Sequence, residues 1–344
     1  MCCTHFIHQS EAKKEKLIQE QTNRMEQLER RIEQLERRIE QLERQLQEKE
    51  NESQEYSLPK GIRGSAAIEG NMAYFRIDDD PYVHEYDSSN DKWQCIYPEC
   101  PFLRFGIAVI KGSLTAVGGL EKNVVVGTLL SLTGVGTDKK WSKKFSPMPT
   151  KRLFPGIGSY QTSLIVAGGT SSTLDGGSLC TVEVMDTETS QWTIAKELPH
   201  PFLDAWLTIC GNKVYMLGGN VLKTAMKSVL TCSLDDLYNT SEKWDKFYDV
   251  PVYSATCATV NGQLLAVGGK HEGKNCKSIY AFDQTEGYWK IIRNMETARS
   301  FCLAAALPNN KLIIVGGFIQ GQDLYDVRTN CVEIIDIPGR TDSV

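Results

Sequence analysis

Neither glycine nor proline occurs before Pro59 and Gly61. These two residues end helices and make turns, so their absence leaves room for one uninterrupted helix. Long apolar runs are also missing. No stretch reaches the ~20 residues that a membrane-spanning helix needs. The opening residues, Met1-Cys2-Cys3-Thr4-His5-Phe6-Ile7-His8, have no cationic start followed by an apolar run, so no secretory signal of ordinary form is read there. A basic surplus is absent as well: the formal net charge is −5, which argues against a nucleic-acid binder.

Histidine is scarce. Beyond residue 60 only His84, His200 and His271 occur, far apart in the chain, which argues against a copper centre built from His, Tyr and Cys ligands. Trp-Asp appears once, at Trp244-Asp245, and Ser-x-Asp-x-Gly-x-x-Trp turns do not appear. Cysteine is the exception to scarcity, with eleven residues. Cys180, Cys210, Cys232, Cys257, Cys276, Cys302 and Cys331 stand singly in apolar segments, the pattern of reduced core thiols in a cytoplasmic protein. Cys2, Cys3, His5 and His8 carry ligand chemistry, but their spacing is too tight for a finger-type zinc site. No metal or other cofactor is expected.

What is present divides the chain in two. Residues 26–46 hold a seven-residue repeat, Glu-Gln-Leu-Glu-Arg-Arg-Ile and close variants. Ile18, Met25, Ile32, Ile39 and Leu46 fall at heptad position a, and Leu28, Leu35 and Leu42 at d. Ile at a with Leu at d favours a parallel two-stranded coiled coil. The charges agree: in a parallel homodimer Arg31 faces Glu36 of the second copy and Arg38 faces Glu43, whereas an antiparallel pair sets like against like. From Ile18 to Lys49 such a helix spans roughly 50 Å. The expected division is an oligomerisation helix over 1–52, with 1–12 disordered, and an all-β domain over 53–344.

In that second part five glycine pairs end short apolar runs: Gly118-Gly119, Gly168-Gly169, Gly218-Gly219, Gly268-Gly269 and Gly316-Gly317. Their near-constant spacing of about fifty residues marks a repeat architecture. One unit reads as four antiparallel strands: Ala255–Val260, an Asn261-Gly262 turn, Leu264–Val267 before Gly268-Gly269, Ser278–Phe282, and Tyr288–Ile292. Four strands per repeat is a propeller blade. Trp93, Trp141, Trp192, Trp244 and Trp289 share one phase against the glycines and are expected to cover apolar surface between blades.

The apolar run, the Gly-Gly pair, a corner such as Phe282-Asp283 and a Trp further on, as in Trp289, resemble the kelch repeat, over roughly residues 56–340. A sixth unit lies upstream, where Ile68–Phe75 matches Val260–Val267; there Arg76-Ile77 stand where the glycines are expected. The last unit ends after Cys331–Asp336 without a fourth strand, so residues 53–59 are expected to supply it and close a six-bladed ring.

The resemblance implies that partners bind the face carrying the loops between second and third strands and between blades. Arg63, Arg104, Arg152, Asp204, Tyr253 and Arg299 are read as one matched position ringing that mouth, with Phe318 as an apolar anchor. Guanidinium groups there suit a carboxylate or phosphorylated peptide. The resulting expectation is a non-enzymatic adaptor or scaffold: a parallel homodimer that holds partner proteins, with no nucleic acid and no membrane. Actin cross-linking is a second binding reading. An acidic-sugar enzyme similar to kelch-type mutarotases is the catalytic alternative.

Overall fold

A computed structural model describes residues 23–25, 27, 30–39, 41, 56–60, 64–77, 80–135, 138–173, 177–221, 224–321 and 325–339. The chain forms two compact units, Met1–Tyr56 and Ser57–Val344.

In the first unit residues 30–39 are continuously helical, with 23–25, 27 and 41 helical beside them. These described residues cover only part of the helix expected from Ile18 to Lys49; Ile18, Leu28, Leu42 and Leu46 lie outside the described residues. The described seam residues Met25, Ile32, Leu35 and Ile39 are 54–61% exposed in the single chain.

The second unit is a six-bladed propeller. Blade one consists of Gly64–Glu69, Met72–Ile77, Val83–Asp87 and Lys92–Ile96, paired in chain order. Blade two follows with Gly106–Ile110, Ser113–Glu121, Val124–Thr133 and Lys140–Ser142. Blade three is Gly156–Tyr160, Ser163–Ala167, Val182–Asp186 and Trp192–Ile194. Blade four is Trp206–Cys210, Lys213–Leu217, Val229–Ser233 and Asp245–Lys246. Blade five is Thr256–Val260, Gln263–Val267, Ser278–Asp283 and Tyr288–Asn294. Blade six is Leu303–Leu307, Lys311–Val315 and Val332–Asp336, three strands among the described residues. The first strands pack against one another around the axis, and the sixth meets the first.

The second strands explain the unbroken apolar runs. Leu164, Ile165, Val166 and Ala167 are all fully buried, because a blade is covered on both faces by its neighbours. The glycine pair then makes two close approaches at once. Gly168 and Gly169 both have positive φ, and a Cβ on Gly168 would lie 2.7 Å from the Phe202 carbonyl of the next blade. A Cβ on Gly169 would lie 2.5 Å from the Leu153 carbonyl of its own blade. The Gly169 N–H donates to that same Phe202 carbonyl at 2.8 Å, and Gly119 and Gly269 repeat the bond to Arg152 and Arg299. The glycine ladder therefore stitches each of these blades to the following one.

The tryptophans lock the outer rim. Indole Nε1 of Trp141, Trp192, Trp244 and Trp289 donates to a carbonyl of the preceding blade: Pro98, Ser146, Lys196 and Tyr248, at 2.8–3.1 Å.

Blade one departs from the expected register by one residue. Its hairpin turns at Gly70-Asn71, with Gly70 at φ 57, and pairs Ser65 with Arg76. Arg76 therefore matches Val267, and Ile77 begins the position of the glycine pair. The cause is a Gly-Asn turn, as at Gly211-Asn212, in place of Asn-Gly. Residues 56–60 form no strand, and 53–55 lie outside the described residues. Leu58 is nonetheless buried, and Asn330 Nδ2 donates to Ser57 Oγ at 3.1 Å, tying this segment to blade six. The thiols Cys100, Cys210, Cys232, Cys257 and Cys302 are buried, but Cys331 is exposed at the edge of blade six.

Candidate functional site

Between the last strand of one blade and the first strand of the next, the chain crosses to the mouth of the axial channel through a repeated step. One residue bridges to the segment after the glycine pair: Leu103 to Leu120, Leu153 to Thr170, Tyr253 to Lys270, Ser300 to Phe318. The next residue is left-handed: Arg104, Phe154, Asp204, Ser254 and Phe301, with φ of 49–57°. These five reach the mouth because the left-handed turn swings the chain inward. Arg63 falls at the same place by sequence phase and lies outside the described residues.

The five described residues of the expected ring thus occupy three different positions. Arg104 and Asp204 are at the left-handed position, Tyr253 is at the bridge, and Arg152 and Arg299 lie two residues before the left-handed one. Arg152 and Arg299 are completely buried rather than presented to a partner. Arg152 Nη2 donates to Glu183 Oε2 at 2.8 Å, and Nη1 to the Gly168 carbonyl at 2.8 Å. Glu183 Oε1 in turn accepts from the Thr150 N–H at 3.0 Å. Burial lowers the Arg152 guanidinium's pKa, and the Glu183 charge opposes that shift. Arg299 repeats the arrangement, pairing with Glu333 and donating to the Cys331 carbonyl at 2.9 Å.

Blades two, four and five fill the same two places with apolar pairs. Phe102 stands with Leu130, Phe202 with Leu230, and Val252 with Tyr280, each pair within one buried cluster. An ion pair and a hydrophobic pair are alternative fillings of one site in the blade. These arginines brace the glycine pair; they are not part of the mouth.

At the mouth itself the Arg104 guanidinium sits 5.9 Å from the Phe154 ring centroid, a cation–π distance. Phe301 meets Phe318 edge-on at 6.0 Å, so the expected anchor Phe318 is half-buried against the ring. Phe154, Asp204, Ser254 and Phe301 open onto an axial cavity of about 320 Å³ walled by the first strands. Thr208 and Thr259 hydroxyls bond across its lining at 3.0 Å.

The connections between second and third strands, expected as polar loops, are β-ribbons in several blades. Ser113–Glu121 and Val124–Thr133 extend the blade-two hairpin past the glycines. Short ribbons form at Asn220–Val221 with Thr224–Ala225, Lys270–His271 with Lys274–Asn275, and Phe318–Gln320 with Asp326–Arg328. Lys270 pairs with Asp326, which also accepts from Asn275 Nδ2 at 2.9 Å, latching the fifth ribbon to the sixth. Lys270 is therefore neutralised, while Lys227, Lys274 and Lys277 are exposed.

Sequence reasoning missed Phe154 and Phe301. Their signal was present, two residues before each first strand, but aligning on arginine obscured it. Among the described residues no cluster of His, Cys, Asp and Glu could hold a metal ion, and no helix is long and apolar enough to cross a membrane. Cys2, Cys3, His5 and His8 lie outside the described residues.

A family profile described as the Kelch motif matches residues 151–199 and 251–296, the third and fifth blades. This chain is a β-propeller with kelch motifs in two of its blades. Kelch-like protein 25 of Xenopus tropicalis is 25% identical over 228 residues, 62% of this chain and 36% of that protein. Beta-scruin of Limulus polyphemus is 24% identical over 188 residues, 52% of this chain and 20% of that protein. The chain thus matches little more than a third, or less, of the length of these relatives. Among solved structures, "Structure of YjhT" superposes with a TM-score of 0.64 at 17% identity, covering 81% of this chain and 98% of that one, a likeness of fold.

Proposed function

We propose that this protein is a non-enzymatic adaptor in which paired N-terminal helices bring two kelch propellers together. Each propeller holds a partner protein on the face that carries the ribbons and the channel mouth. The observation that carries the reading is the exposure of apolar side chains at both places. Met25, Ile32, Leu35 and Ile39 form an uncovered stripe on the helix. An apolar stripe at coiled-coil spacing is stable in water when a second helix covers it. The Arg31/Glu36 and Arg38/Glu43 pattern supports a parallel second copy. On the propeller, Val124, Val327 and Tyr325 are exposed on ribbons of one face. Pairing two such faces raises avidity through effective concentration without any new contact.

The expected preference for an acidic peptide loses support, since two of its four arginines are buried in ion pairs. The kelch matches support protein binding in general and name no partner. Affinity isolation from a cell extract tests the face. Full chains carrying Arg104→Ala with Val327→Ser are compared with chains carrying Glu188→Ala on the opposite end of the propeller. Loss of partners with the first and retention with the second is expected; equal recovery from both would remove this face from the account.

A further inference from the structure

Several lysines of the propeller have a carboxylate at hand: Lys111 has Glu188, Lys246 has Asp249, Lys270 has Asp326 and Lys290 has Asp283. The outer edge of blade two is different. Lys139, Lys140, Lys143, Lys144 and Lys151 fall within one short stretch of chain, and none makes an ion pair among the described residues. Lys140, Lys143, Lys144 and Lys151 are exposed and Lys139 is half-buried. Residues 134–151 contain one carboxylate, Asp138, against these five ammonium groups. This excess stands on a chain whose formal net charge is −5.

The fold keeps the charges in file. Lys139 leads into the outer strand Lys140–Ser142, Lys143 and Lys144 leave it, and Lys151 precedes the crossing to the channel mouth. The rings between them turn inward. Trp141 Nε1 donates to the Pro98 carbonyl at 2.9 Å, and Phe145 packs into the apolar cluster shared by blades two and three. Lys144 Nζ lies 5.9 Å from the Phe145 ring centroid. On the blade-one side the exposed Glu99 follows Pro98, the side that Trp141 faces and, by strand alternation, Lys140 does not. With Asp138 and Glu99 both counted, positive charge remains in excess.

Protection of a strand edge does not account for so many lysines. A charged side chain on the strand blunts an edge against unwanted pairing. The outer strands of blades one, four and five carry one lysine each, Lys92, Lys246 and Lys290, and that of blade three carries none. Like charges held in file repel one another, and an anionic partner relieves that repulsion.

We infer that the outer edge of blade two binds an acidic, extended segment of a partner protein. Charges in file along one blade edge match an extended chain better than a flat anionic surface. With Trp141 and Phe145 turned into the blade, neither ring is offered to a lipid boundary or to a stacked base. This contact goes beyond the ribbon face and the channel mouth. It also gives an acidic partner unpaired cations, which the buried Arg152 and Arg299 do not.

Fluorescence anisotropy of the full chain with a labelled peptide of alternating Glu and Ser tests the inference. Binding at low ionic strength that weakens as salt rises is expected. Lys140→Glu with Lys143→Glu and Lys144→Glu should weaken it at least tenfold. Lys227→Glu with Lys274→Glu and Lys277→Glu makes the same change in net charge elsewhere, and should weaken it less than threefold. All six side chains are exposed, and an unchanged melting curve confirms an intact propeller. Equal loss in the two triple variants would reduce the effect to net charge and overturn the site, as would failure of the peptide to bind. Tighter binding of phosphatidylserine vesicles or single-stranded DNA through the same lysines would overturn the choice of partner. Each of these outcomes leaves the ribbon face to its own test.

Discussion

Arg152 and Glu183 form a fully buried ion pair, 2.8 Å apart, whose guanidinium also holds the carbonyl of Gly168. The matched places of blade four are filled by Phe202 and Leu230. A blade therefore accepts either filling, but not half of one. Arg152→Ala strands a buried carboxylate and is expected to cost about 3–5 kcal/mol. The double change Arg152→Phe with Glu183→Leu is expected to recover most of that loss. Chemical denaturation of the three proteins checks this; a double variant as unstable as the single one would show that the two fillings are not interchangeable.

The glycine pair makes a graded prediction. At Gly262, φ is +68° and a Cβ meets nothing within 4 Å. Gly262→Ala should cost only the ~1–2 kcal/mol of a left-handed alanine. At Gly169 the same change adds a Cβ at 2.5 Å from the Leu153 carbonyl. Its loss in melting temperature should be clearly the larger. Equal losses would mean that close approach plays no part in the ladder.

Thiol chemistry reports the fold from another side. Burial pushes the Cys302 thiol up to about 11, with Arg299 opposing the shift, and Cys257 is pushed higher still. Cys331 is exposed. Among the described cysteines, alkylation at neutral pH should mark Cys331 early and reach Cys257 and Cys302 only on unfolding, as read by mass spectrometry of digested protein. Early labelling of Cys257 would contradict the packing of blade five.

Asp80 gives a pH dependence. Burial raises its pKa, but hydrogen bonds from His84 and the Tyr82 N–H outweigh that and hold it below the ordinary carboxylate value. A lowered folded-state pKa contributes stability that is present above the unfolded value, about 4, and is lost as pH falls through the folded value. Asp80→Asn should therefore lower the melting temperature at pH 7 and flatten its fall below about pH 4. A variant with the same acid limb as the wild type would exclude Asp80 from the acid response.

Ring closure by residues 53–59 is tested by deleting 51–60. Leu58 is buried and Ser57 is bonded to Asn330, so the deletion should lower the melting temperature sharply. An unchanged melt would remove this segment from closure.

The glycine pairs and the tryptophans made the blades legible in the sequence. Both arise from the same physical demand, which is close packing of one blade on the next. The mouth was less legible. A residue two places before a strand is placed by a left-handed turn, and Arg104, Phe154, Asp204, Ser254 and Phe301 share that turn but no side-chain type. Arginine looked like the common element because Arg152 and Arg299 sit only two residues away, yet they serve the interior. The β-ribbons between second and third strands were not legible, because their short pairings appear only in the structure.

The most direct test of the account is the mass of the full chain in solution by size-exclusion chromatography with light scattering. The wild type should have twice the mass of one chain, and Ile32→Lys with Ile39→Lys should have the mass of one, with an unchanged propeller melting transition. A wild-type mass equal to a single chain at micromolar concentration would contradict the paired-propeller account.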